Sequence, residues 1–230
     1  MDTIMKIVAL GDSIIKGVLF SKEENGRGQY SLSDNNIVDN VANQLHGESV
    51  NLGKMGCTID LGARILNRHL NVLGGSKYII MCYGGNDSDY NWQAIANNPR
   101  KEHHPKTPLT VFENTYKTLV YQVREMGLIP IILSLPPMDP QKYFDFFTST
   151  FTDKQRANVL KWLNGSVETI RAGHELYDDV VKRVAESTNS TLIDVTTPLG
   201  NGVGYLCPDG IHPNAAAQNK IAQIISKNLV

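Results

Sequence analysis

Residues able to form a serine nucleophile and its base stand at the two ends of the chain. Ser13 lies in a Gly-Asp-Ser sequence directly after the apolar run 4–10 (IMKIVAL), and Asp209 precedes His212 by three residues near the other end. A serine hydroxyl is a poor nucleophile unless a neighbouring base accepts its proton, and a carboxylate on the second imidazole nitrogen orients that base. The sequence therefore predicts that Ser13 attacks an ester carbonyl, with His212 as the base and Asp209 orienting it.

Attack on a carbonyl also requires hydrogen-bond donors for the oxyanion, and the sequence offers three. They are the backbone N–H of Ser13, the backbone N–H of Gly56 and the side-chain amide of Asn86. Gly56 and the two residues before Asn86 are glycines, which let the backbone approach a ligand closely. Loss of one such donor typically lowers the rate about a hundred- to a thousandfold, so we include these positions in the predicted site.

Composition limits the classes of protein to which the chain can belong. Its 230 residues, of which 41% are hydrophobic and 20% charged, suffice for one sizeable core, so we expect one domain over residues 1–230. The 22 basic and 23 acidic residues give no electrostatic reason to expect nucleic acid or an anionic membrane as a partner. A small-molecule ester substrate fits this balance better.

The cysteines and the apolar runs bear on the compartment. Three widely spaced cysteines without a CxxC pair argue against a disulfide framework or a zinc site, so we expect reduced thiols. The pattern of a secretory signal is missing, and no apolar run approaches membrane-spanning length. We therefore expect a cytoplasmic protein without membrane insertion.

Short β-type apolar runs alternate with segments of helical periodicity, which is typical of a parallel sheet covered by helices on both faces. The predicted strands are 5–10, 49–52, 78–83, 129–135 and 191–195. The predicted helices are 36–45, 61–70, 111–125, 153–187 and 214–229, with Asp34 or Asn35 as N-cap of the first and Gly127 as C-cap of the third. Ligands bind such sheets beyond the carboxyl ends of the strands, where Ser13, Gly56 and residues 84–87 are all expected.

The four sequence blocks resemble those of the SGNH hydrolases, also called the GDSL esterase/lipase family. Position by position, that family's catalytic serine falls on Ser13, its oxyanion glycine on Gly56, its oxyanion asparagine on Asn86, and its aspartate and histidine on Asp209 and His212. Residue 14 departs from the family, because isoleucine replaces the usual leucine, which should not touch the chemistry. The resemblance implies a flavodoxin-like three-layer α/β/α sandwich with a mostly parallel five-stranded sheet, a shallow open site, and neither metal nor cofactor.

Each block also has an ordinary structural explanation. Ser13 could cap a helix that begins at residue 14, His212 could cap the last helix, and Asp209 with the following glycine could form a turn. Asp87 and Asp89 could be taken for a metal pair, but no histidine or further carboxylate cluster nearby completes an oxygen-rich shell. Because none of these explanations accounts for all four blocks, we favour the catalytic interpretation.

Two long connections are candidates for substrate recognition, because long loops in a compact domain are usually functional or mobile. Residues 88–108 hold Tyr90, Trp92 and a basic stretch over 100–106, which could attract an anion or be a solvated loop. Residues 136–162 hold six aromatic residues, which could form a lid, a pocket wall, a homodimer face or a satellite core. We predict a lid or pocket-forming insertion at about 136–165, and substrate contacts from Asp12, Tyr90, Trp92, Tyr143 and Phe146.

Three functions remain open at this point. The first is an esterase that removes short acyl groups, such as acetyl groups on a carbohydrate or another small polar alcohol, through an acyl-enzyme. The second is a lysophospholipase or thioesterase, for which the aromatic insertion would hold a longer chain. The third is a non-catalytic module that binds glycan or protein, although a binder has no use for a complete set of catalytic groups. We predict the first.

Overall fold

The computed structural model describes residues 5–23 and 27–229, with a five-stranded parallel sheet at its centre. The strands, in chain order, are β1 (Lys6–Gly11), β2 (Val18–Lys22), β3 (Gly28–Leu32), β4 (Glu48–Asn51), β5 (Ser76–Cys82), β6 (Ile129–Leu133) and β7 (Thr191–Ile193). The central sheet has the order β4-β1-β5-β6-β7, whereas β2 and β3 pair with each other as an antiparallel hairpin. The parallel strands therefore present all their carboxyl ends at one edge of the sheet.

Strand β1 shows why both faces of this sheet must be covered. Ile7 and Ala9 point into one hydrophobic cluster and Val8 and Leu10 into another, and none of the four is exposed. Successive side chains of a strand face opposite sides of the sheet, so a strand buried on both faces has to be apolar throughout. That requirement explains the uninterrupted apolar run before Gly11.

The helices supply the two outer layers. Within the described residues they are α1 (Ser13–Lys16), α2 (Ile37–Gln44), α3 (Ile59–Arg68), α4 (Trp92–Asn97), α5 (Leu109–Glu125), α6 (Pro140–Phe147), α7 (Asp153–Trp162), α8 (Glu168–Ser187), α9 (Thr196–Leu199) and α10 (Ala215–Asn228), with a 3-10 turn at Leu70–Val72. Helices α3, α5 and α8 pack on the face that carries Val8, and α2 and α10 cover the face that carries Ile7. The predicted three-layer α/β/α sandwich is confirmed.

The segment 153–187, predicted as helical throughout, is broken into α7 and α8. Asn164 has a φ of 58° and Gly165 a φ of 80°, both in the left-handed region that a right-handed helix cannot contain. Gly165 donates its N–H to the carbonyl of Leu160, which closes the end of α7. The Asn-Gly pair was the sequence signal for this break.

Two helix caps also differ from the sequence prediction. The N-cap of α2 is Asn36, whose side chain accepts hydrogen bonds from the N–H groups of Val38 and Asp39. The prediction of Asp34 or Asn35 as N-cap was therefore wrong. The C-cap of α5 is Met126, and Gly127 is the residue after it, with a φ of 77°. A left-handed glycine just beyond the helix end is the usual way to stop a helix.

The aromatic residues of 136–162 are not left in water. Phe144 is buried, and Tyr143, Phe147, Phe151 and Trp162 pack around a third hydrophobic cluster formed by α4, α6 and α7. None of the six aromatic residues belongs to the exposed large apolar side chains, so the aromatic patch that would have indicated a homodimer is not seen in this segment. The single domain over 1–230 and the lid at about 136–165 stay predictions, and residues 1–4, 24–26 and 230 lie outside the described residues.

Candidate active site

Ser13, His212 and Asp209 form one hydrogen-bonded chain at the carboxyl edge of the sheet. The Ser13 Oγ lies 2.8 Å from His212 Nε2, and His212 Nδ1 lies 2.5 Å from Asp209 Oδ2. All three residues are buried, with exposed fractions of 8%, 4% and 0% in that order. Because a carboxylate can only accept, Nδ1 carries the imidazole proton, which leaves Nε2 free to accept the hydroxyl proton of Ser13.

Ser13 is placed by the sharp connection between β1 and α1. Gly11 ends β1, and a Cβ at this position would lie only 2.9 Å from the carbonyl oxygen of Cys82 on β5. Asp12 then caps α1 by accepting a hydrogen bond from the N–H of Ile14 at 2.8 Å. Asp12 and not Ser13 is therefore the cap, so the Ser13 hydroxyl is free to meet His212.

The Asp209–His212 loop is held by its own backbone. Cys207 donates its N–H to the carbonyl of His212 at 2.8 Å, and the Asp209 carboxylate accepts the N–H of His212 at 3.2 Å. The last helix is capped by Asn214, whose side chain accepts from the N–H of Ala217, so His212 does not serve as a cap. These bonds fix the imidazole ring relative to its carboxylate before any ligand arrives.

Asn86 reaches the same site from the loop after β5. Its side-chain amide donates a hydrogen bond to Asp12 Oδ2 at 3.1 Å. Burial raises the pKa of Asp12 from 3.8 to about 6, against the lowering effects of the Ile14 N–H and of the nearby His212. With 3% of its surface exposed and both carboxylate oxygens hydrogen bonded, Asp12 is suited to hold Asn86, whereas the sequence suggested a contact with substrate.

Asp87, the residue after Asn86, connects this loop to Gly56. Its fully buried carboxylate accepts a hydrogen bond from the N–H of Ile59, the first residue of α3, at 3.0 Å. Thr58, the N-cap residue of this helix, makes no capping hydrogen bond with its side chain. Burial raises the pKa of Asp87. Gly56 lies just before that helix, with a φ of 71° and open space around the position of a Cβ, so backbone conformation and not crowding requires glycine there.

A cavity of about 500 Å³ opens beside Ser13. Its lining includes every residue predicted to contact substrate, which are Asp12, Tyr90, Trp92, Tyr143 and Phe146, and it extends to the face of α8 around His174 and Leu176. Trp92 is 7% exposed and stacks on Phe147 at 4.4 Å between ring centroids, so one of its ring faces is already covered. Burial lowers the pKa of His174, which therefore adds no charge to this wall at neutral pH.

Asp89 fixes the aromatic wall of this cavity, a role that sequence reasoning missed. One of its carboxylate oxygens accepts the indole N–H of Trp92 at 2.7 Å and the hydroxyl of Tyr143 at 2.9 Å, and the other accepts the ammonium of Lys106 at 2.8 Å. These contacts tie α4, α6 and the loop before α5 to one carboxylate. Lys106, at the end of the basic stretch 100–106, therefore has a structural role as the ion-pair partner of Asp89.

The hairpin β2–β3 supplies a further wall that the sequence analysis did not include. The Tyr30 ring meets His212 edge-on, with centroids 5.7 Å apart, and it also contacts Phe20 and Phe146. The hairpin therefore shields His212 on one side. Its strands are short and β3 is exposed along its whole length, so the sequence carried only a weak apolar pattern for it.

Within residues 5–23 and 27–229, no helix is both long and apolar enough to traverse a bilayer. No group of three or more histidine, cysteine, aspartate or glutamate residues there is arranged to hold a metal ion.

The fold recurs in solved structures. The chain superposes on LAE5, an alpha/beta hydrolase enzyme from the metagenome of Lake Arreo in Spain, with a TM-score of 0.58 and 21% identity over 98% of this chain and 93% of that one. It also superposes on Axe2, an acetylxylan esterase from Geobacillus stearothermophilus, with a TM-score of 0.56 and 19% identity over 100% of this chain and 94% of that one. At these identities the likeness shows a shared fold. No curated protein sequence matches the chain.

The sequence itself matches a family model along most of its length. The model of the GDSL-like Lipase/Acylhydrolase family covers residues 9–220, a range that runs from β1 through the 206–213 loop into α10. The match thus includes the hydrogen-bonded serine, histidine and aspartate as well as the sheet that positions them. The chain belongs to the GDSL-like lipase/acylhydrolase family and is an SGNH-type carboxylic ester hydrolase.

Proposed function

We propose that the enzyme cleaves esters through Ser13 as nucleophile, with His212 as the general base and Asp209 orienting it. The observation that carries the proposal is the continuous chain of contacts from Ser13 Oγ to His212 Nε2 at 2.8 Å and from His212 Nδ1 to Asp209 Oδ2 at 2.5 Å. Both distances are within hydrogen-bond range, and the geometry suits a base that is held in one tautomer.

The chemistry follows from that arrangement in two half-reactions. The Ser13 Oγ attacks the ester carbonyl carbon while its proton passes to His212 Nε2, and the tetrahedral intermediate collapses when the alcohol leaves with that proton. A water molecule then attacks the acyl-enzyme and gives its proton to His212. The carboxylic acid is released and the Ser13 hydroxyl is restored.

The oxyanion of both intermediates requires fixed donors, for which we propose the N–H groups of Ser13 and Gly56 and the side-chain amide of Asn86. One amide hydrogen of Asn86 is held by Asp12, which orients the second hydrogen away from that carboxylate. Donors that are fixed before the reaction stabilise developing charge without reorganisation. Asp12 is therefore a positioning residue in this proposal.

For the acyl group we propose a short chain, such as acetyl, on a small polar alcohol or a carbohydrate. The similarity in fold to an acetylxylan esterase supports this assignment. A second candidate, a lysophospholipase or thioesterase for longer chains, is favoured by one specific observation. The cavity of about 500 Å³ beside Ser13 has aromatic walls and extends to α8, which is more room than an acetyl group fills.

Hydrolysis of 4-nitrophenyl esters from acetyl to palmitoyl, with Ser13→Ala as the blank, separates these assignments. Ser13-dependent turnover that falls steeply beyond butyryl supports the short-chain esterase, and acetylated xylo-oligosaccharides are then the next substrates to assay. Turnover that peaks at octanoyl or longer moves the assignment to the second candidate. Binding of glycan without Ser13-dependent turnover of any ester would contradict both.

A further inference from the structure

A second depression, of about 550 Å³, lies beside the Ser13 cavity and shares Tyr30 and Met55 with it. We call it the cation groove, after the side chains of Lys16, Lys54 and Arg68 in its lining. One side is formed by the β3 strand of the hairpin, and the other by the loop after β4 and by α3. The two depressions meet at Met55, one residue before Gly56.

Three cationic side chains from three separate elements line the cation groove. Lys16 comes from the end of α1, Lys54 from the turn before Gly56, and Arg68 from the last turn of α3. The described lining contains no aspartate or glutamate. Positive charges that converge in a concave surface without counter-charge produce a positive potential that concentrates anions.

The cation groove also has an apolar surface that water must cover in the free enzyme. Leu32 is 58% exposed and Met55 is 48% exposed, and both line it. Exposed apolar residues that sit together, rimmed by charges, usually mark a binding surface. The combination suits a ligand with an apolar linker and a charged end.

The position of Lys54 connects this surface to the reaction. Lys54, Met55 and Gly56 are consecutive, and the N–H of Cys57 closes their turn by donating to the carbonyl of Lys54 at 3.1 Å. Gly56 is a proposed oxyanion donor, so a ligand beside Lys54 lies next to the group that would hold the reacting carbonyl. The loop cations at 100–106 do not line the cation groove.

We propose that the cation groove binds an anionic group, a carboxylate or a phosphate, carried by the ester substrate. The inference rests on the proposed function, because it assumes that the ester reacts at Ser13. The substrate class is then esters with an apolar segment near the carbonyl and a negative charge at the far end of the acyl or the alcohol part.

Matched esters with and without an anionic group test this inference. 4-Nitrophenyl butyrate and 4-nitrophenyl hemisuccinate place the difference on the acyl side. 1-Acetylglycerol, its 3-phosphate and 3-acetylglycerate place it on the alcohol side and distinguish phosphate from carboxylate. Initial rates give KM and kcat/KM for each ester with the full-length enzyme.

Two variants with the same change in net charge complete the design. Lys54→Gln/Arg68→Gln removes two cations from the groove, and Arg100→Gln/Lys101→Gln removes two exposed cations from the loop outside it. We expect the groove variant to raise KM for the preferred anionic ester about five- to tenfold, which corresponds to two exposed ion pairs, and the loop variant to change it less than twofold. The preference should shrink in 0.5 M NaCl because salt screens exposed charges.

Equal KM values for charged and neutral esters in the wild-type enzyme would overturn the inference, and so would equal effects of the two double variants. The single variants Lys54→Gln and Arg68→Gln replace the double one if it does not fold. Failure of the proposed function looks different, because Ser13→Ala would then still hydrolyse the neutral esters. Failure of this inference alone leaves Ser13-dependent turnover of neutral esters in place.

Discussion

The reaction centre and the cation groove beside it are built in opposite ways. Ser13, His212 and Asp209 are less than one-tenth exposed and are hydrogen bonded in a chain, whereas Lys54 and Met55, the two residues before Gly56, are exposed to solvent. Buried polar groups with all their partners in place hold one geometry, and exposed long side chains adapt to what they meet. We infer that the buried centre fixes which bond is cleaved and the exposed surroundings select which ester enters.

The largest effect should come from the centre itself. We predict that Ser13→Ala and His212→Ala each lower kcat by about 10⁴-fold or more, and that the double variant loses little beyond either single one, because nucleophile and base act as a unit. Steady-state kinetics on 4-nitrophenyl acetate measures all three. Additive losses would separate the two residues and contradict the pairing.

The next effect concerns the amide that approaches the centre from β5. Asn86→Ala should lower kcat about a hundred- to a thousandfold with little change in KM, because the amide is proposed to meet the oxyanion and not the ground-state carbonyl. Asn219→Ala, the same change at an exposed position of α10, is the matched control. A rise in KM without loss of kcat would assign Asn86 to substrate binding instead.

Substitution of Asp12 tests whether the buried carboxylate that positions Asn86 lowers the stability of the folded chain. Its pKa is raised from 3.8 unfolded to about 6 folded, so the folded chain binds the proton more tightly. The charged carboxylate therefore opposes folding above about pH 6, and this cost of about 3 kcal/mol disappears as pH falls below the unfolded pKa. Relative to wild type, Asp12→Asn should become more stable as pH rises from 4 to 7, while kcat falls about tenfold as Asn86 loses its acceptor.

Urea denaturation at pH 4.5 and pH 7.5 measures this difference, with Asp34→Asn, an exposed carboxylate, as control. A stability difference between Asp12→Asn and wild type that does not change with pH would show that the buried charge is not opposing folding. Unchanged kcat would show that Asp12 does not position Asn86.

The smallest effect should come from the cavity wall. Asp89→Asn replaces the carboxylate that joins Trp92, Tyr143 and Lys106, so the wall should loosen while the hydrogen bonds of Ser13 remain. We expect a two- to fivefold change in the ratio of kcat/KM between octanoyl and acetyl esters, in line with the modest discrimination of apolar pockets. A large fall in kcat for the acetyl ester would mean that the wall also supports the chemistry.

The residues of the buried centre were easier to predict from the sequence than those of its surroundings. Ser13 and Asn86 follow apolar strands, so the rule for parallel sheets places both at the carboxyl edge. Asp209 and His212 were added by their residue types, their spacing and the family resemblance, and not by that rule. The five strands of the central sheet begin and end within two residues of their predicted bounds, whereas β2 and β3 were not predicted. Strand β1 shows why such strands are recognisable, because a strand buried on both faces is apolar almost throughout.

The surroundings could not be found in this way. Tyr30 lies on a hairpin that is exposed along β3, and the partners of Asp89 come from residues 92, 106 and 143. Lys16, Lys54 and Arg68 converge only after three elements have packed together. Such contacts depend on how elements pack, which a pattern along the chain does not encode.

Covalent labelling tests the central claim most directly. A fluorophosphonate probe loses fluoride when an activated serine attacks its phosphorus, so the product can be weighed as an intact protein and located by peptide mass spectrometry. We predict one adduct per chain, on Ser13, with Ser13→Ala unlabelled and His212→Ala labelled far more slowly. Labelling of Ser13→Ala at the wild-type rate, or an adduct on another residue, would contradict the assignment of Ser13 as the nucleophile.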